Sequence, residues 1–207
     1  DSYGLSKERG KCNAGYYCSG GSNTSSPIGM SFGDVCQKGY YCPEGTGNYI
    51  DYPCPNGTYS NMTGLQSADN CTICTPGWAC SGQGLQKPNE LCAAGYFCRK
   101  GAKTNKPKDG GATGDLCTVG NFCPEGSPEP IKCPAGSFMN TTGYSYCFDC
   151  PPGYYCSGSD EVWRCSKGHY CPGNTTLAQP PCPVGTINTE FGKDSVTDCQ
   201  PCPKTFY

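Results

Sequence analysis

The chain reads as a tandem array of small disulfide-rich repeats. Short β-hairpins and turns, almost no helix and an elongated rod-like outline are the expectation. Three observations predict it: the density of cysteine, the shortage of core-forming residues, and a motif that recurs along the whole length.

There are 21 cysteines in 207 residues, about 10% of the chain. Against them stand 6 Leu, 5 Ile, 5 Val and 7 Phe, 23 residues or about 11%. A chain below roughly 20% in these residues buries too little apolar surface to offset its ordering entropy. Cysteine at this density reverses that outcome, because cross-links of about 2–4 kcal/mol each replace the missing core. The same chemistry sets the compartment, since structural disulfides persist in secreted and cell-surface settings. Six N-x-Ser/Thr sequons agree, at Asn23, Asn56, Asn61, Asn70, Asn140 and Asn174, so N-glycans are expected on the chain. Asn70 is the least favourable acceptor because Cys71 occupies its middle position.

The motif is Cys-x-x-Gly-x-x-Cys, present seven times. It reads CNAGYYC at Cys12–Cys18, CQKGYYC at Cys36–Cys42, CTPGWAC at Cys74–Cys80 and CAAGYFC at Cys92–Cys98. It returns as CTVGNFC at Cys117–Cys123, CPPGYYC at Cys150–Cys156 and CSKGHYC at Cys165–Cys171. A longer relative opens at Cys54, Cys133 and Cys182 as CPNGTY, CPAGSF and CPVGTI. Each of these runs on to a Cys-x-x-Cys pair, at Cys71/Cys74, Cys147/Cys150 and Cys199/Cys202. The glycine suits a turn squeezed between bridged cysteines, where positive φ or close backbone approach is needed. The aromatic after it supplies apolar packing on a disulfide or on the next module's ring.

Cysteine patterning divides the chain into unit A at 1–70, unit B at 71–146, a shorter unit C at 147–198 and the start of a further unit at 199–207. Units B and C differ by one module, and a pairing rule that survives such a deletion is most simply local. The expected bridges are 12–18, 36–42, 74–80, 92–98, 117–123, 150–156 and 165–171, with 54–71, 133–147 and 182–199 in the longer modules. Crossed ladders such as 74–92 with 80–98 remain open. Under the local rule Cys202 is left over, as a free thiol or a bond to another chain.

The CPxGTY…C-x-x-C-PPGYYC run resembles the ephrin-receptor-like type of cysteine-rich repeat, and more distantly the growth-factor-receptor and tumour-necrosis-factor-receptor modules. The resemblance implies hairpins and turns stapled into a rod, and a place in receptors, adhesion proteins or surface coats. The doubled and tripled GYYC-like modules per unit depart from the usual receptor pattern.

Rival chemistries are weak on the same residues. Cys-x-x-Cys spacing suits zinc, but thiolate ligands need a reducing compartment. A redox Cys-x-x-Cys would need a βαβ context that is absent. His169, the only histidine, fills the slot that Tyr16, Tyr40, Trp78 and Tyr154 fill elsewhere, and reads as an aromatic stand-in. Asp160-Glu161 reads as solvated loop charge. Asp109 or Asp115 could face calcium, yet no EF-hand pattern surrounds them. No catalytic, cofactor or metal residue is therefore assigned. A net charge of -2 without a basic stripe argues against nucleic acid, and no apolar run approaches a membrane span of ~20 residues.

A non-enzymatic component of an extracellular glycosylated fibre or surface coat is the expected function, with a ligand-binding receptor or adhesion ectodomain as the alternative. The chain has neither an initiator Met nor a signal peptide, as expected of a processed product or an excerpt of a longer secreted chain. Its ends also fit the repeat: Gly4-Leu5-Ser6-Lys7 matches Gly84-Leu85-Gln86-Lys87 when Tyr207 of one copy is read into Asp1 of the next. Head-to-tail self-association into a filament, or covalent continuation, is the partner this implies.

Overall fold

The computed structural model describes residues 10–19 and 22–203. Among them there is no α-helix, only three single-turn 3₁₀ segments at Tyr49–Asp51, Ala68–Asn70 and Val196–Asp198. The remainder is turn, loop and eight two-stranded hairpins. These are Tyr16–Cys18 with Gly33–Val35, Thr58–Tyr59 with Thr72–Ile73, Trp78–Ala79 with Glu90–Leu91, and Tyr96–Cys98 with Gly114–Leu116. They continue with Asn121–Phe122 and Ile131–Lys132, Ser137–Phe138 and Phe148–Asp149, Tyr154–Tyr155 and Trp163–Arg164, and Thr186–Ile187 and Gln200–Pro201. The disulfide-rich hairpin class expected from the composition is the one found.

Ten bridges close the chain, and all are local. Seven span six residues, Cys12–Cys18, Cys36–Cys42, Cys74–Cys80, Cys92–Cys98, Cys117–Cys123, Cys150–Cys156 and Cys165–Cys171. Three span 17, 14 and 17 residues, Cys54–Cys71, Cys133–Cys147 and Cys182–Cys199. No crossed ladder occurs. The core consists of these sulfurs: 16 of the 21 buried hydrophobic residues are cysteines, joined by Leu65, Ala79, Phe97, Ala102 and Met139.

One register rule runs through the hairpins. Counting from a module's opening cysteine, the fourth residue on pairs with the residue just before the next opening cysteine. Tyr16 pairs Val35, Thr58 pairs Ile73, Trp78 pairs Leu91, and Ser137 pairs Asp149. Asn121 with Lys132, Tyr154 with Arg164 and Thr186 with Pro201 follow the same rule. Tyr40 with Pro53 and His169 with Pro181 keep it as isolated bridges. His169 thus takes the aromatic slot in register as well as in sequence.

The chain forms two compact units, Asp1–Cys92 with Cys98–Gly114, and Ala93–Phe97 with Asp115–Tyr207. This partition by contacts differs from the division by cysteine pattern, and each unit is internally alike. The repeating contact is made by the module's central glycine. Its N–H donates to the carbonyl of the sixth residue of the following module, and its own carbonyl accepts from that module's opening cysteine. In the first unit Gly15 bonds Cys42 and Cys36, Gly39 bonds Ser60 and Cys54, Gly57 bonds Cys80 and Cys74, and Gly77 bonds Cys98 and Cys92. In the second, Gly95 bonds Cys123 and Cys117, Gly120 bonds Met139 and Cys133, and Gly136 bonds Cys156 and Cys150. Gly153 with Cys171 and Cys165, and Gly168 with Asn188 and Cys182, complete it, all at 2.7–3.0 Å. The expectation of positive φ is met at all ten central glycines, from Gly15 at 88° to Gly185 at 83°.

Gly39 shows why no other residue serves. Its φ is +86°, and a Cβ there would overlap the carbonyl of Gly84 in the same unit. The left-handed conformation and the close approach both exclude a side chain.

The longer modules reveal a position that cysteine spacing hides. Their sixth residue is not cysteine, yet it remains buried: Ser60 at 2%, Met139 at 0% and Asn188 at 3% exposure. Ser60 Oγ donates to the Met62 carbonyl, and Asn188 Nδ2 donates to the His169 carbonyl while its Oδ1 accepts from Glu190 N–H. Each buried polar group therefore has a partner. A second hidden signature is hydroxyl-to-proline. In six Cys-Pro-x-Gly/Asn-Ser/Thr turns the Ser or Thr hydroxyl donates to the proline carbonyl three residues back. The donors are Thr46, Thr58, Ser127, Ser137, Thr175 and Thr186.

Candidate functional site

The sequence-singled residues fall into three groups: sulfurs, sequon asparagines and aromatics. Two of the three Cys-x-x-Cys pairs send their sulfurs to different bridges, Cys71 and Cys74 to Cys54 and Cys80, and Cys147 and Cys150 to Cys133 and Cys156. Ligand-like spacing is therefore spent on covalent closure. Cys199 is bridged to Cys182, which leaves Cys202 the free thiol among the described residues. Its amide donates to the Gly185 carbonyl at 2.9 Å, the bond that the opening cysteines from Cys36 to Cys182 make to the central glycine before them. Cys202 therefore stands where a further module would begin. Beside it Ile187, Thr189 and Pro203 line an apolar cleft. Glu190 and Lys193 pair at 2.8 Å along a neighbouring polar cleft. The hydrogen bond between them, and then their opposite charges, lower the Glu190 carboxyl and raise the Lys193 ammonium. The terminal residues Asp1, Gly4-Leu5-Ser6-Lys7 and Tyr207, on which the end-to-end match rests, lie outside the described residues.

The calcium candidates are engaged by the chain's own donors. Asp109 accepts from Thr113 N–H at 3.0 Å on both oxygens, from Thr113 Oγ1 at 2.6 Å and from Gly114 N–H at 3.3 Å. Asp115 accepts from Leu116 N–H at 2.7 Å. His169 Nδ1 lies 3.1 Å from the Lys167 carbonyl. The bonds from Thr113 hold the Asp109 carboxyl below its ordinary value of 3.8. A lowered carboxyl stabilises the fold above the unfolded value, and that contribution is lost as pH falls through the lower folded value. The Thr113 amide resonance should therefore hold its position down to the ordinary carboxyl range and move only below 3.8. A pH titration followed by NMR checks this, and a shift centred at or above the ordinary value would show that the bonds from Thr113 do not hold the carboxyl down.

The six sequon asparagines differ in what their side chains already do. Asn23, Asn56, Asn61, Asn140 and Asn174 are exposed. Asn56 sits inside a Pro-x-Gly turn, and Asn174 occupies the glycine place of its turn with φ 64°. Asn70 is exposed too, but its Oδ1 accepts from Gln66 N–H, Ser67 N–H and Ser67 Oγ, closing the Ala68–Asn70 turn. Its side chain is already employed.

The aromatics gather where sequence spacing does not show it. Tyr41 packs on the Cys54–Cys71 bridge with Leu65, and Phe97 packs on Cys117 and Cys123. The aromatic just before a module's closing cysteine thus covers the next module's disulfide, one of the two roles expected for it. Tyr49 receives both Tyr17 and Tyr40 at 5.1 Å. The Tyr17 phenol is raised by burial, then by Asp34 and Tyr49. Tyr155 stacks on its cross-strand partner Trp163 at 5.6 Å. The largest gathering surrounds Phe148, which meets Tyr144 at 5.3 Å, Tyr146 at 5.5 Å and Phe138 at 5.9 Å. Tyr146 in it is 56% exposed.

Comparison with known proteins places these features beside one relative. The human protein named Signal peptide, CUB and EGF-like domain-containing protein 2 is 31% identical over 145 residues, 69% of this chain. The chain is thus similar to cysteine-rich repeats of the EGF-like type. The matched stretch is 13% of the relative's own length. No family model matches the chain. Ten disulfides and this likeness point to an extracellular setting. Among the described residues no helix is long and apolar enough to cross a membrane.

Proposed function

We propose that this chain is a non-enzymatic structural segment of an extracellular, glycosylated fibre or surface coat. The carrying observation is the paired bond of each central glycine to the module after it, repeated within both units, and the place of Cys202 in that same register. Repeats that each bond the next in the same way add by simple succession. A module-opening cysteine with a free sulfur suits either a bond to another copy or closure on a cysteine further along. The relative's EGF-like repeats agree with an extracellular scaffold, and the CPxGTY runs with the ephrin-receptor-like type within it.

A second reading, a receptor or adhesion ectodomain, is favoured by one observation, the exposed ring cluster around Phe148. Aromatics of this kind anchor protein partners. The test is the assembly state of the secreted chain with and without Cys202→Ser. A fibre component gives concentration-dependent linear oligomers by sedimentation and electron microscopy, shortened by the substitution. A monomer at high concentration, with Cys202 freely labelled by maleimide, overturns the fibre reading in favour of the receptor.

A further inference from the structure

The Asn140 sequon begins two residues past Phe138 of the ring cluster. Asn140 is the seventh residue after Cys133, Phe138 the fifth, and between them Met139 is fully buried. Extended residues two apart share a face, and burial alternates that way here, with Ser137 and Met139 buried, Phe138 half-buried and Asn140 exposed. Phe138 meets Phe148 across the hairpin. Tyr144 and Tyr146 close on Phe148 from the loop that Asn140 begins. Asn140 is exposed, and its Oδ1 accepts from Thr141 Oγ1 at 3.1 Å, a bond that does not engage Nδ2.

We propose that Asn140 carries an N-glycan whose first N-acetylglucosamine lies on the platform of Phe138, Tyr146 and Phe148. The attachment follows the ordinary chemistry of the sequon. Asn140 Nδ2 bonds C1 of the sugar supplied by a lipid-linked oligosaccharide pyrophosphate. The C1–O bond breaks, the pyrophosphate leaves with the electron pair, and Nδ2 gives up one proton. The apolar C–H face of a pyranose then covers ring surface that is otherwise left to water, and its hydroxyls face solvent. Asn56, Asn61 and Asn174 lack this platform: residue 54 before Asn56 is a bridged cysteine, residue 172 before Asn174 is a proline, and Asn61 follows a single ring, Tyr59. The proposal rests on the extracellular reading and not on the fibre. It also gives the cluster an occupant from the chain itself, and so removes the one surface that favours a receptor.

The experiment uses the full chain secreted from eukaryotic cells fed ¹³C-labelled N-acetylglucosamine. Glycopeptide mass spectrometry reads occupancy, and NMR reads the acetyl methyl groups, assigned at this site by Thr142→Ala. The Asn140 acetyl methyl should lie upfield of its position in the isolated glycopeptide, through the ring currents. That displacement should fall by more than half in Tyr146→Ala, which removes the exposed ring on Phe148 and keeps both members of the Phe138–Phe148 cross-strand pair. A glycan at Asn140 with an undisplaced methyl, or one insensitive to Tyr146→Ala, overturns the proposal alone. Asn140 bare while Asn56 or Asn174 is occupied does the same. A secreted chain bare at all six sequons overturns the glycosylated part of the proposed function with it.

Discussion

Replacing Cys54 and Cys71 together by alanine should lower stability by about 3 kcal/mol through loop entropy alone, and further through lost packing. The bridge closes a span of 17 residues, the longest class in the chain. Both sulfurs are buried with Leu65, and Tyr41 packs against them. Removing them frees the loop in the unfolded chain and opens a void under Tyr41. The paired substitution at Cys36 and Cys42 opens a ring of only six residues, and should cost about 2 kcal/mol on the same relation. Urea unfolding of both variants decides the matter. If the short ring costs as much as the long one, constraint of the unfolded chain is not what the bridges supply.

Gly39→Ala should be nearly as damaging with every disulfide intact. The left-handed conformation at φ +86° costs an alanine about 1–2 kcal/mol. The new methyl also meets the Gly84 carbonyl, which must move. That movement loosens the bonds from Gly39 N–H to Ser60 and from Cys54 N–H to Gly39. A total of about 3 kcal/mol or more is expected, in the range of strained-backbone substitutions. Gly168 offers the control, with φ +78° and no atom near its would-be Cβ. Gly168→Ala should show the conformational cost alone, about 1–2 kcal/mol. Equal losses at both positions, measured by calorimetry, would mean that close stacking at Gly39 contributes nothing.

Much of this architecture was legible because cysteine and glycine leave unambiguous spacing. The local pairs follow from a module that can be deleted whole, and the glycine follows from the tightness of a five-residue interior. What spacing could not show was the sixth position of the longer modules. Ser60, Met139 and Asn188 share no chemistry, only a buried place in the register, so no motif search aligns them. The hydroxyls of Thr46 and Ser127 were visible as residues but not as proline-carbonyl donors, since that bond depends on the turn. The ring cluster was equally hidden. Phe138 and Phe148 are ten residues apart, and only the Ser137–Asp149 register brings them opposite. Asn70 was set apart for its neighbour Cys71, whereas the structure adds a different reason, an Oδ1 already bonded to the Gln66–Ser67 turn.

The closure of every bridge within six to 17 residues bears on how such a chain is made. A polypeptide entering an oxidising compartment emerges at about 5–20 residues per second. No cysteine in this order waits long for its partner: Cys18 follows Cys12 within about a second, and even Cys71 follows Cys54 within a few. Disulfide formation takes seconds to hours, depending on the oxidant. At the fast end of that range a ring can seal while few later thiols have arrived, so the number of competing thiols present at any moment stays small. A chain with 21 cysteines is thereby spared most of the mispairings open to it once fully reduced and released. Its correct oxidation is a matter of order of arrival, and refolding from the fully reduced state should be far less faithful than synthesis.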